Sequence, residues 1–323
     1  MSGVVVVGSF NVDHVWSTAT LPRPGETLGG RYATGPGGKG FNQAMASARA
    51  GAGTTFVCAI GDDAGGELAR VLAAGDGIDL RALRSDEPTG AAGIYVDAEG
   101  RNSIVFGAGA NAALSPEHVR AQADAFDGAN VVLAQLESPP EAVAAALDAA
   151  RAHGALALLN PAPANAPTTR ELLALADVLT PNETEFAGLV ARHVGERIDG
   201  DAVTILDQAH LHALCRELAP GATVVVTLGA SGCVVSHADG ALRGDDKPFY
   251  RLGAEQARAI DTTGAGDAFN GALAASLARE PAAPFVTHLR FASRYAALST
   301  EREGAAAAMP RRAEVEDRFG QLL

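Results

Sequence analysis

Short apolar runs alternate along the chain with longer, alanine-rich stretches. Val4–Val7 is typical of a buried strand, whereas Phe41–Ala50 has a helical pattern that stops at Gly51. "VVLAQL" and "TVVVTL" are also apolar throughout, which is typical of strands covered on both faces. Strands separated by helical stretches of about 10–15 residues predict a parallel sheet with crossover helices. We therefore predict an α/β fold with a layer of helices on each side of a mainly parallel sheet.

Two segments alternate in hydrophobicity and contain turn residues, a pattern that predicts antiparallel hairpins. "AAGIYVDAEGRNSIVF" turns at Ala98-Glu99-Gly100, and "GCVVSHADGALRG" suggests a second hairpin. We expect residues of about 12–36 and 90–107 to form a small appended sheet, or lid. The absence of an internal repeat or low-complexity linker predicts a single domain over residues 1–323.

Composition narrows the function classes. The formal net charge of −13 argues against sequence-independent binding to nucleic acid or to anionic membranes. Three cysteines without CxxC spacing are typical of buried thiols in a reducing compartment. The first residues lack the features of a signal peptide, and no window reaches 18 uninterrupted apolar residues. We expect a soluble cytoplasmic protein.

Polar, glycine-containing segments follow the predicted strands. They are "GSFNVD", "LESP", "LNPAPA", "TPNETE" and "TLGASG". Ligands of open α/β sheets bind beyond the carboxyl ends of the strands. These segments are therefore expected to line a ligand site.

The stretch "DTTGAGDAFNGAL" places an acidic residue, Asp267, directly after Gly264-Ala265-Gly266 at a predicted helix start. One interpretation is that Asp267 only complements the helix dipole. The other is phosphoryl transfer, in which the backbone amides of the turn meet the moving phosphoryl group and the carboxylate takes a proton from the attacking hydroxyl.

A second glycine-rich element is "GPGGKGFNQA". It fails the P-loop pattern, because Gly40 follows the lysine where Ser or Thr should stand, and it is only a weak dinucleotide fingerprint. A plain turn into a helix would explain its glycines. Alternatively, Gly38 lets the backbone approach a hydroxylated ligand, with Lys39 and Asn42 as polar arms.

Asn11 and Asp13 lie two residues apart after the first strand, so that both side chains point the same way and could contact vicinal hydroxyls. An Asx turn would explain them equally well. Glu137 follows another apolar strand, where a simple strand-end carboxylate is the plainer interpretation.

Asn182 and Glu185 are three residues apart at a predicted helix start. A capping box competes here with a nucleotide site in which Glu185 holds magnesium through water. The turn from Thr227 to Gly232 is either the start of a hairpin or a backbone cradle for phosphates.

Together, "GGKGFNQAMASARAGA" and "DTTGAGDAFNGAL" resemble the two signatures of the PfkB, or ribokinase-like, carbohydrate kinases. The resemblance covers almost the whole chain. Within the family it is greatest to the ribokinases, because "PGET", "GAGANAALSP", "LESP", "LNPAPA" and "TPNETE" occur in their order. It implies a three-layer α/β/α fold with a β-lid that often serves for dimerisation, and hence a homodimer. It also implies ATP-dependent phosphorylation of D-ribose at the 5-hydroxyl, with Mg²⁺ and an activating K⁺.

The resemblance assigns roles position by position. Asp267 is the implied base, and Gly264, Ala265 and Gly266 form the implied anion hole. The implied sugar ligands are Asn11, Asp13, Gly38, Lys39, Asn42, Glu137 and Asp267. The implied nucleotide site comprises Asn182, Glu185, Thr227, Gly229, Gly232, Gly266 and Ser293. The implied monovalent-cation site comprises Asp261, Thr263, Ser299, Arg302 and Gly304, mostly through backbone carbonyls.

The chain also departs from the family pattern. Phe41 stands where ribokinases usually carry alanine, so its ring either faces the sugar and reshapes the pocket or faces the sheet. Ser293 replaces a histidine or asparagine that often flanks the adenine. Another pentose, a fructose or a nucleoside is therefore the alternative acceptor. A sugar-sensing protein without catalysis, or a purely structural module, is the alternative from another class.

Overall fold

The computed structural model describes residues 3–321. These residues form two sheets and surrounding helices. The strands are β1 (Gly3–Val7), β2 (Asn11–Ser17), β3 (Arg31–Gly37), β4 (Gly53–Gly61), β5 (Asp79–Ser85), β6 (Gly90–Val96), β7 (Asn102–Gly107), β8 (Ala129–Ala134), β9 (Leu156–Leu159), β10 (Val178–Leu179), β11 (Thr223–Thr227), β12 (Cys233–Ser236) and β13 (Phe249–Leu252). The α-helices are α1 (Lys39–Arg49), α2 (Ala64–Gly75), α3 (Pro116–Ala121), α4 (Ala123–Phe126), α5 (Pro140–Ala152), α6 (Arg170–Ala174), α7 (Glu183–His193), α8 (Gly200–Val203), α9 (Gln208–Leu218), α10 (Ala265–Arg279), α11 (Phe285–Ser299) and α12 (Arg312–Phe319).

The large sheet has nine strands in the order β13-β12-β11-β10-β9-β8-β1-β4-β5. The seven neighbouring strands β11-β10-β9-β8-β1-β4-β5 are parallel to one another. Strands β12 and β13 add an antiparallel edge. The mainly parallel sheet predicted from the alternation of apolar runs and helical stretches is confirmed.

Strand β1 shows why the strands of this sheet are apolar on both faces. Val5 and Val7 belong to a core that includes residues of α5, α7 and α9. Val4 and Val6 belong to the opposite core, which includes residues of α1, α10 and α11. Because successive side chains of a strand alternate between faces, a strand covered by helices on both sides needs an apolar residue at every position.

The small sheet has the order β3-β2-β6-β7, with β2 and β6 parallel and both outer pairs antiparallel. The hairpin predicted around Ala98-Glu99-Gly100 is therefore present as β6 and β7. The edge strand β7 exposes the large apolar side chains of Ile104, Val105 and Phe106.

The second predicted hairpin, in "GCVVSHADGALRG", is wrong in its second half. β12 pairs with β11 and with β13, and residues 240–244 form no strand. The strand that pairs with β12 lies further along the chain, at Phe249–Leu252. In the loop between them, His237 Nε2 and Asp245 Oδ2 are hydrogen-bonded at 3.1 Å. A local turn signal could not reveal this longer connection.

Phe41 faces the core. Its side chain is fully buried and packs edge-on against Phe10, with ring centroids 5.0 Å apart, and against Phe56 at 5.9 Å. The ring therefore lies among the core residues between the sheet and α1 and does not line a ligand pocket. This resolves the two interpretations of Phe41 in favour of the one in which the sugar site is unchanged.

The three cysteines, Cys58, Cys215 and Cys233, are free and buried. Among the described helices, none is long and apolar enough to cross a membrane.

Candidate active site

The polar segments of the chain meet at one edge of the large sheet. Five neighbouring strands of this sheet, β1-β8-β9-β10-β11, are parallel, so their carboxyl ends lie on the same side. Helices α1 and α10 also begin there and lie against each other, because side chains near the start of α1 hydrogen-bond to Asp267 in the first turn of α10. The structure thus brings the two glycine-rich elements together although more than 200 residues separate Asn42 from Asp267.

Asp267 is buried and fully engaged by amide groups. Asn42 Nδ2 donates to Asp267 Oδ2 at 2.9 Å, and Gln43 Nε2 donates to Oδ1 at 2.9 Å. Burial raises the pKa of Asp267, while Lys39 and the two amides act in the opposite direction. Asp267 is also one of the residues that line the cavity at the start of α10.

Two further carboxylates lie close to Asp267. Burial, together with the charges of Glu137 and Asp267, raises the pKa of Asp13 to about 6. Burial by itself would lower the pKa of Lys39, but the carboxylates of Asp267, Glu137 and Glu185 raise it. The site is therefore an acidic pocket with one ammonium group inside it.

Glu137 and Lys39 are tied to the turn before α1. Ser9 Oγ donates to Glu137 Oε2 at 2.6 Å, and the backbone N–H of Lys39 donates to the same oxygen at 3.0 Å. Gly38 has φ 88°, and a Cβ there would lie 2.9 Å from Ser9 O and from Asn11 N. A side chain at Gly38 would therefore be both strained and obstructed.

Asn11 and Asn42 differ in how far the protein satisfies them. Asn11 Oδ1 accepts from Asn111 Nδ2 at 2.8 Å. Asn42 uses its amide nitrogen on Asp267, and its Oδ1 is buried without a hydrogen-bond partner in the described residues. A buried acceptor left unpaired is costly, so Asn42 Oδ1 suits a ligand hydroxyl.

A cavity of about 170 Å³ lies at the start of α10. Asp267, Lys39, Asn182 and Glu185 are among the residues that line it. Gly264 has φ 74°, which allows the tight turn into the helix. The N–H of Ala265 already donates to Thr262 O at 3.1 Å. The following N–H groups open the helix, where no intrahelical carbonyl can accept them, so they are suited to an anion.

A larger cleft of about 570 Å³ adjoins this cavity. Both cavities are lined by Asn182, Thr227, Thr262, Ala265 and Gly266. The larger cleft continues past Gly229 and Gly232 to Ser293 on α11. The segment between β11 and β12 is thus at once a hairpin connection and a wall of the cleft.

Asn182 and Glu185 form the capping box of α7. Glu185 N–H donates to Asn182 Oδ1 at 2.8 Å, and Asn182 N–H donates to Glu185 Oε2 at 2.9 Å. Glu185 is buried, which raises its pKa. The two interpretations of this pair are compatible, because the capped carboxylate also lines the smaller cavity.

The predicted cation residues lie on two adjoining segments, one just before α10 and the other running from the last residue of α11, Ser299, into the following loop. Asp261 accepts from Thr263 N–H and from Gly304 N–H, each at 2.9 Å, and Asp261 N–H donates to Thr300 O at 3.1 Å. The side chain of Arg302 pairs with Glu314, so it is directed away from this junction. Arg302 can therefore contribute to a cation site only through its backbone carbonyl.

Several buried polar residues around Asp267 were not singled out from the sequence. They are Ser9, Gln43, Asn111, Gln135, Asn160, Thr180 and Asn270. Gln43 stands inside "GGKGFNQA" and Gln135 inside "VVLAQLE". A polar residue in an otherwise apolar strand or helix face is the signal that could have identified them.

The chain matches the pfkB family of carbohydrate kinases over residues 1–312. It is 38% identical to the ribokinase of Haemophilus influenzae over 314 residues, which are 96% of each chain. Among solved structures, the ribokinase of Giardia lamblia has a TM-score of 0.86 and 30% identity, covering 98% of each chain. The Arabidopsis thaliana ribokinase complexed with ribose and ATP has a TM-score of 0.82 and 31% identity, covering 97% of each chain.

This chain belongs to the pfkB family of carbohydrate kinases. The ribokinase-like fold class, with its three layers and additional small sheet, is thereby confirmed.

The raised pKa of Asp13 leads to a prediction about stability. The carboxylate titrates near pH 6 in the folded chain and near 3.8 when unfolded, so its ionised form opposes folding at neutral pH. We expect Asp13→Asn to stabilise the ligand-free protein at pH 7, on the order of 1–2 kcal/mol. This advantage should shrink as pH falls from 6 toward 4, because the wild-type carboxyl then becomes protonated in the folded state.

Thermal unfolding of both proteins between pH 4 and pH 7 measures this difference. Asp79→Asn, on the exposed start of β5, is the matched control; it loses only a solvent-exposed pair with Arg81 and should show little effect. A variant that is less stable than the wild type at pH 7, or a pH-independent difference, would contradict the assigned environment of Asp13.

Proposed function

We propose that this chain is an ATP-dependent ribokinase that transfers the γ-phosphoryl group of ATP to the 5-hydroxyl of D-ribose. The observation that carries the proposal is the place of Asp267. Its buried carboxylate lies between the polar residues at the start of α1 and the first turn of α10. The similarity to ribokinases over nearly the whole chain supports ribose as the acceptor.

The sugar would lie between the small sheet and the start of α1. Asp13 and Glu137 would accept hydrogen bonds from its hydroxyls, and Asn42 Oδ1 provides an acceptor that the protein leaves unpaired. Asn11, Gly38 and Lys39 would complete the site from the same two segments. Carboxylate and amide oxygens are suited to vicinal hydroxyls, which offer several donors close together.

Proton transfer would take place at Asp267. Its carboxylate takes the proton of the 5-hydroxyl while the oxygen forms a bond to the γ-phosphorus and ADP departs. Burial makes the carboxylate a better base than an exposed aspartate, and the amides of Asn42 and Gln43 hold it in place.

The start of α10 would meet the charge of the moving phosphoryl group. Gly264 and Ala265 shape the turn, and the N–H groups of Gly266 and Asp267 have no intrahelical acceptor and would face the phosphoryl group. Lys39 brings a positive charge into the same cavity. Such fixed donors stabilise the transition state without having to reorganise.

The larger cleft fits a nucleotide. Asn182 and Thr227 lie where the two cavities meet and would contact the phosphates, while Gly229, Gly232 and Ser293 line the part that would take the adenosine. Mg²⁺ usually binds through substrate phosphates and one or two carboxylates. Glu185 is a carboxylate in a suitable position, and the ion would neutralise charge on the ATP phosphates.

The junction of the two loops around Asp261 fits a monovalent cation. Its oxygens would come from Asp261, Thr263, Ser299, Arg302 and Gly304, and oxygen donors are suited to hard cations. Residue 305 of the second loop approaches Gly264, since a Cβ at Gly264 would lie 2.9 Å from Ala305 Cβ. A cation here would therefore hold the turn before α10 in shape.

We further propose that residues 1–323 work as one kinase unit, with the small sheet as a lid over the sugar. Its exposed Ile104, Val105 and Phe106 would be covered in a homodimer formed through the lids. The free, buried cysteines suit a reducing compartment such as the cytoplasm.

An acceptor screen tests the choice of sugar. We expect D-ribose to give the highest kcat/KM when ADP release is measured against 2-deoxyribose, other pentoses, fructose, adenosine and inosine. Phe41 stands where ribokinases usually carry alanine, but its ring faces the core and so offers no stacking surface for a nucleoside base. A clear preference for a nucleoside or a hexose would overturn ribose as the substrate.

Replacement of the base tests the chemistry. Asp267→Asn keeps the size of the side chain but removes its basicity, so we expect ribose and ATP binding to persist while turnover falls by about 10²–10⁴. Calorimetry measures binding, and ADP release measures turnover. Wild-type turnover in the variant would refute the role of Asp267, and a wild-type protein that binds ribose but phosphorylates no sugar would favour the sensing alternative.

Exchange of the monovalent cation tests the loop site. Replacing K⁺ by tetramethylammonium at constant ionic strength should lower turnover by roughly tenfold, since the large ion cannot bind between the loops and about 1.4 kcal/mol of transition-state stabilisation is lost. Choline serves as a second large cation. Equal turnover in all three salts would show that the loops around Asp261 need no bound cation.

A further inference from the structure

Behind the proposed base lies a chain of buried amides, in which Asn160 lines the smaller cavity whereas Gln43 and Gln135 do not. Gln135 Nε2 donates to Gln43 Oε1 at 2.6 Å. Gln43 Nε2 in turn donates to Asp267 Oδ1 at 2.9 Å and to Asn160 Oδ1 at 3.0 Å. We propose that Gln43, oriented by Gln135, is a positioning residue that aims the Asp267 carboxylate at the acceptor hydroxyl. This inference rests on the proposed function.

The direction of the Gln43 amide follows from its neighbours. An ionised carboxylate can only accept hydrogen bonds, so the NH₂ group of Gln43 must face Asp267. Its Oε1 then faces Gln135, which must donate. A reversed amide would place oxygen against oxygen at Asp267 and NH₂ against NH₂ at Gln135, so the pair permits one orientation of Gln43 and holds Asp267 Oδ1 in a fixed place.

The network continues to the turn that would meet the phosphoryl group. Asn160 Nδ2 donates to Thr180 O at 2.9 Å, and Thr180 Oγ1 donates to Asn270 Oδ1 at 2.5 Å. Asn270 Nδ2 donates to Gly266 O at 2.9 Å. Through the carbonyl and the hydroxyl of Thr180, these hydrogen bonds link the surroundings of the carboxylate to the Gly266 carbonyl in the α10 turn.

A packing role alone does not account for these residues. Gln43 and Gln135 are completely buried, and Gln135 Oε1 has no hydrogen-bond partner among the described residues. An unpaired buried acceptor costs about 1–3 kcal/mol, and apolar side chains of similar shape would remove that cost. Polar side chains at these positions are explained if Asp267 needs a fixed donor.

The charged groups around Asp267 determine what the loss of Gln43 would do. Lys39 on α1 favours the ionised form, as do Asn42 and Gln43, whereas burial and Glu137 oppose it. Asp13 on β2 and Glu185 on α7 also interact with Asp267 as like charges. Without Gln43, the same opposing groups would act on a carboxylate with one donor fewer, so its pKa would rise.

Gln43→Met tests the inference, because methionine has a similar length and cannot donate. In a single-turnover assay with ATP and D-ribose, we expect the rate of ADP formation to fall by about 10–100-fold, as for a small misplacement of a reacting group. The acid limb of its pH profile should move to higher pH, whereas KM for ribose should change little.

Ser47→Ala is the matched control. Ser47 is a buried polar residue one turn further along α1, and it hydrogen-bonds Thr54 Oγ1 at 3.0 Å, outside the network. This variant is expected to lose some stability but to keep the wild-type pH profile. Gln135→Met keeps Gln43 but removes the donor that orients the Gln43 amide, so it should shift the pH profile in the same direction by a smaller amount. This variant substitutes for Gln43→Met if Gln43→Met does not fold.

A titration without turnover separates this inference from the proposed function. The Asp267 carboxyl carbon can be followed by NMR in ligand-free protein with ¹³C-labelled aspartate, and assigned by its loss in Asp267→Asn. A midpoint at higher pH in Gln43→Met supports the positioning role even if no sugar is phosphorylated. An unchanged midpoint, or a rate loss with an unshifted pH profile, overturns it.

Discussion

To act as the proposed base, Asp267 must stay ionised while it is buried, and this is the constraint on which the candidate site depends. Asp267 has little contact with water, so its charge must be stabilised by fixed donors. Asn42 and Gln43 supply two of them from the first turn of α1, and Lys39 supplies a nearby charge. The starts of α1 and α10 must therefore lie side by side, and the two glycine-rich elements form a single site.

The same constraint explains why so much negative charge is concentrated here. Glu137 opposes the ionisation of Asp267, and burial together with the charges of Glu137 and Asp267 raises the pKa of Asp13. A protein selected for stability alone would not place three carboxylates in one pocket. Sites that bind hydroxylated ligands need acceptors before the ligand arrives, and the ligand-free protein bears the electrostatic cost.

Much of the fold was predictable because it depends on local patterns. Val4–Val7 is apolar at every position because both faces of β1 are covered, and the turn at Ala98-Glu99-Gly100 predicts its hairpin from three neighbouring residues. The hairpin after Gly232 was predicted too short, since a twelve-residue loop precedes β13 and long connections leave little periodic signal. The direction of Phe41 was also undetermined, because a helix start can turn a side chain to either of two environments.

The sequence by itself determined the family, the alternation of strands and helices, and the acidic residue that follows Gly264-Ala265-Gly266, because each of these lies in a contiguous run of residues. The tertiary structure decided which side chains surround that acid. Gln43, Gln135 and Asn160 come from three separate segments and meet only because parallel strands bring their carboxyl ends to one edge of the sheet. Hydrogen bonds across such distances depend on packing between elements, and no local sequence pattern encodes them.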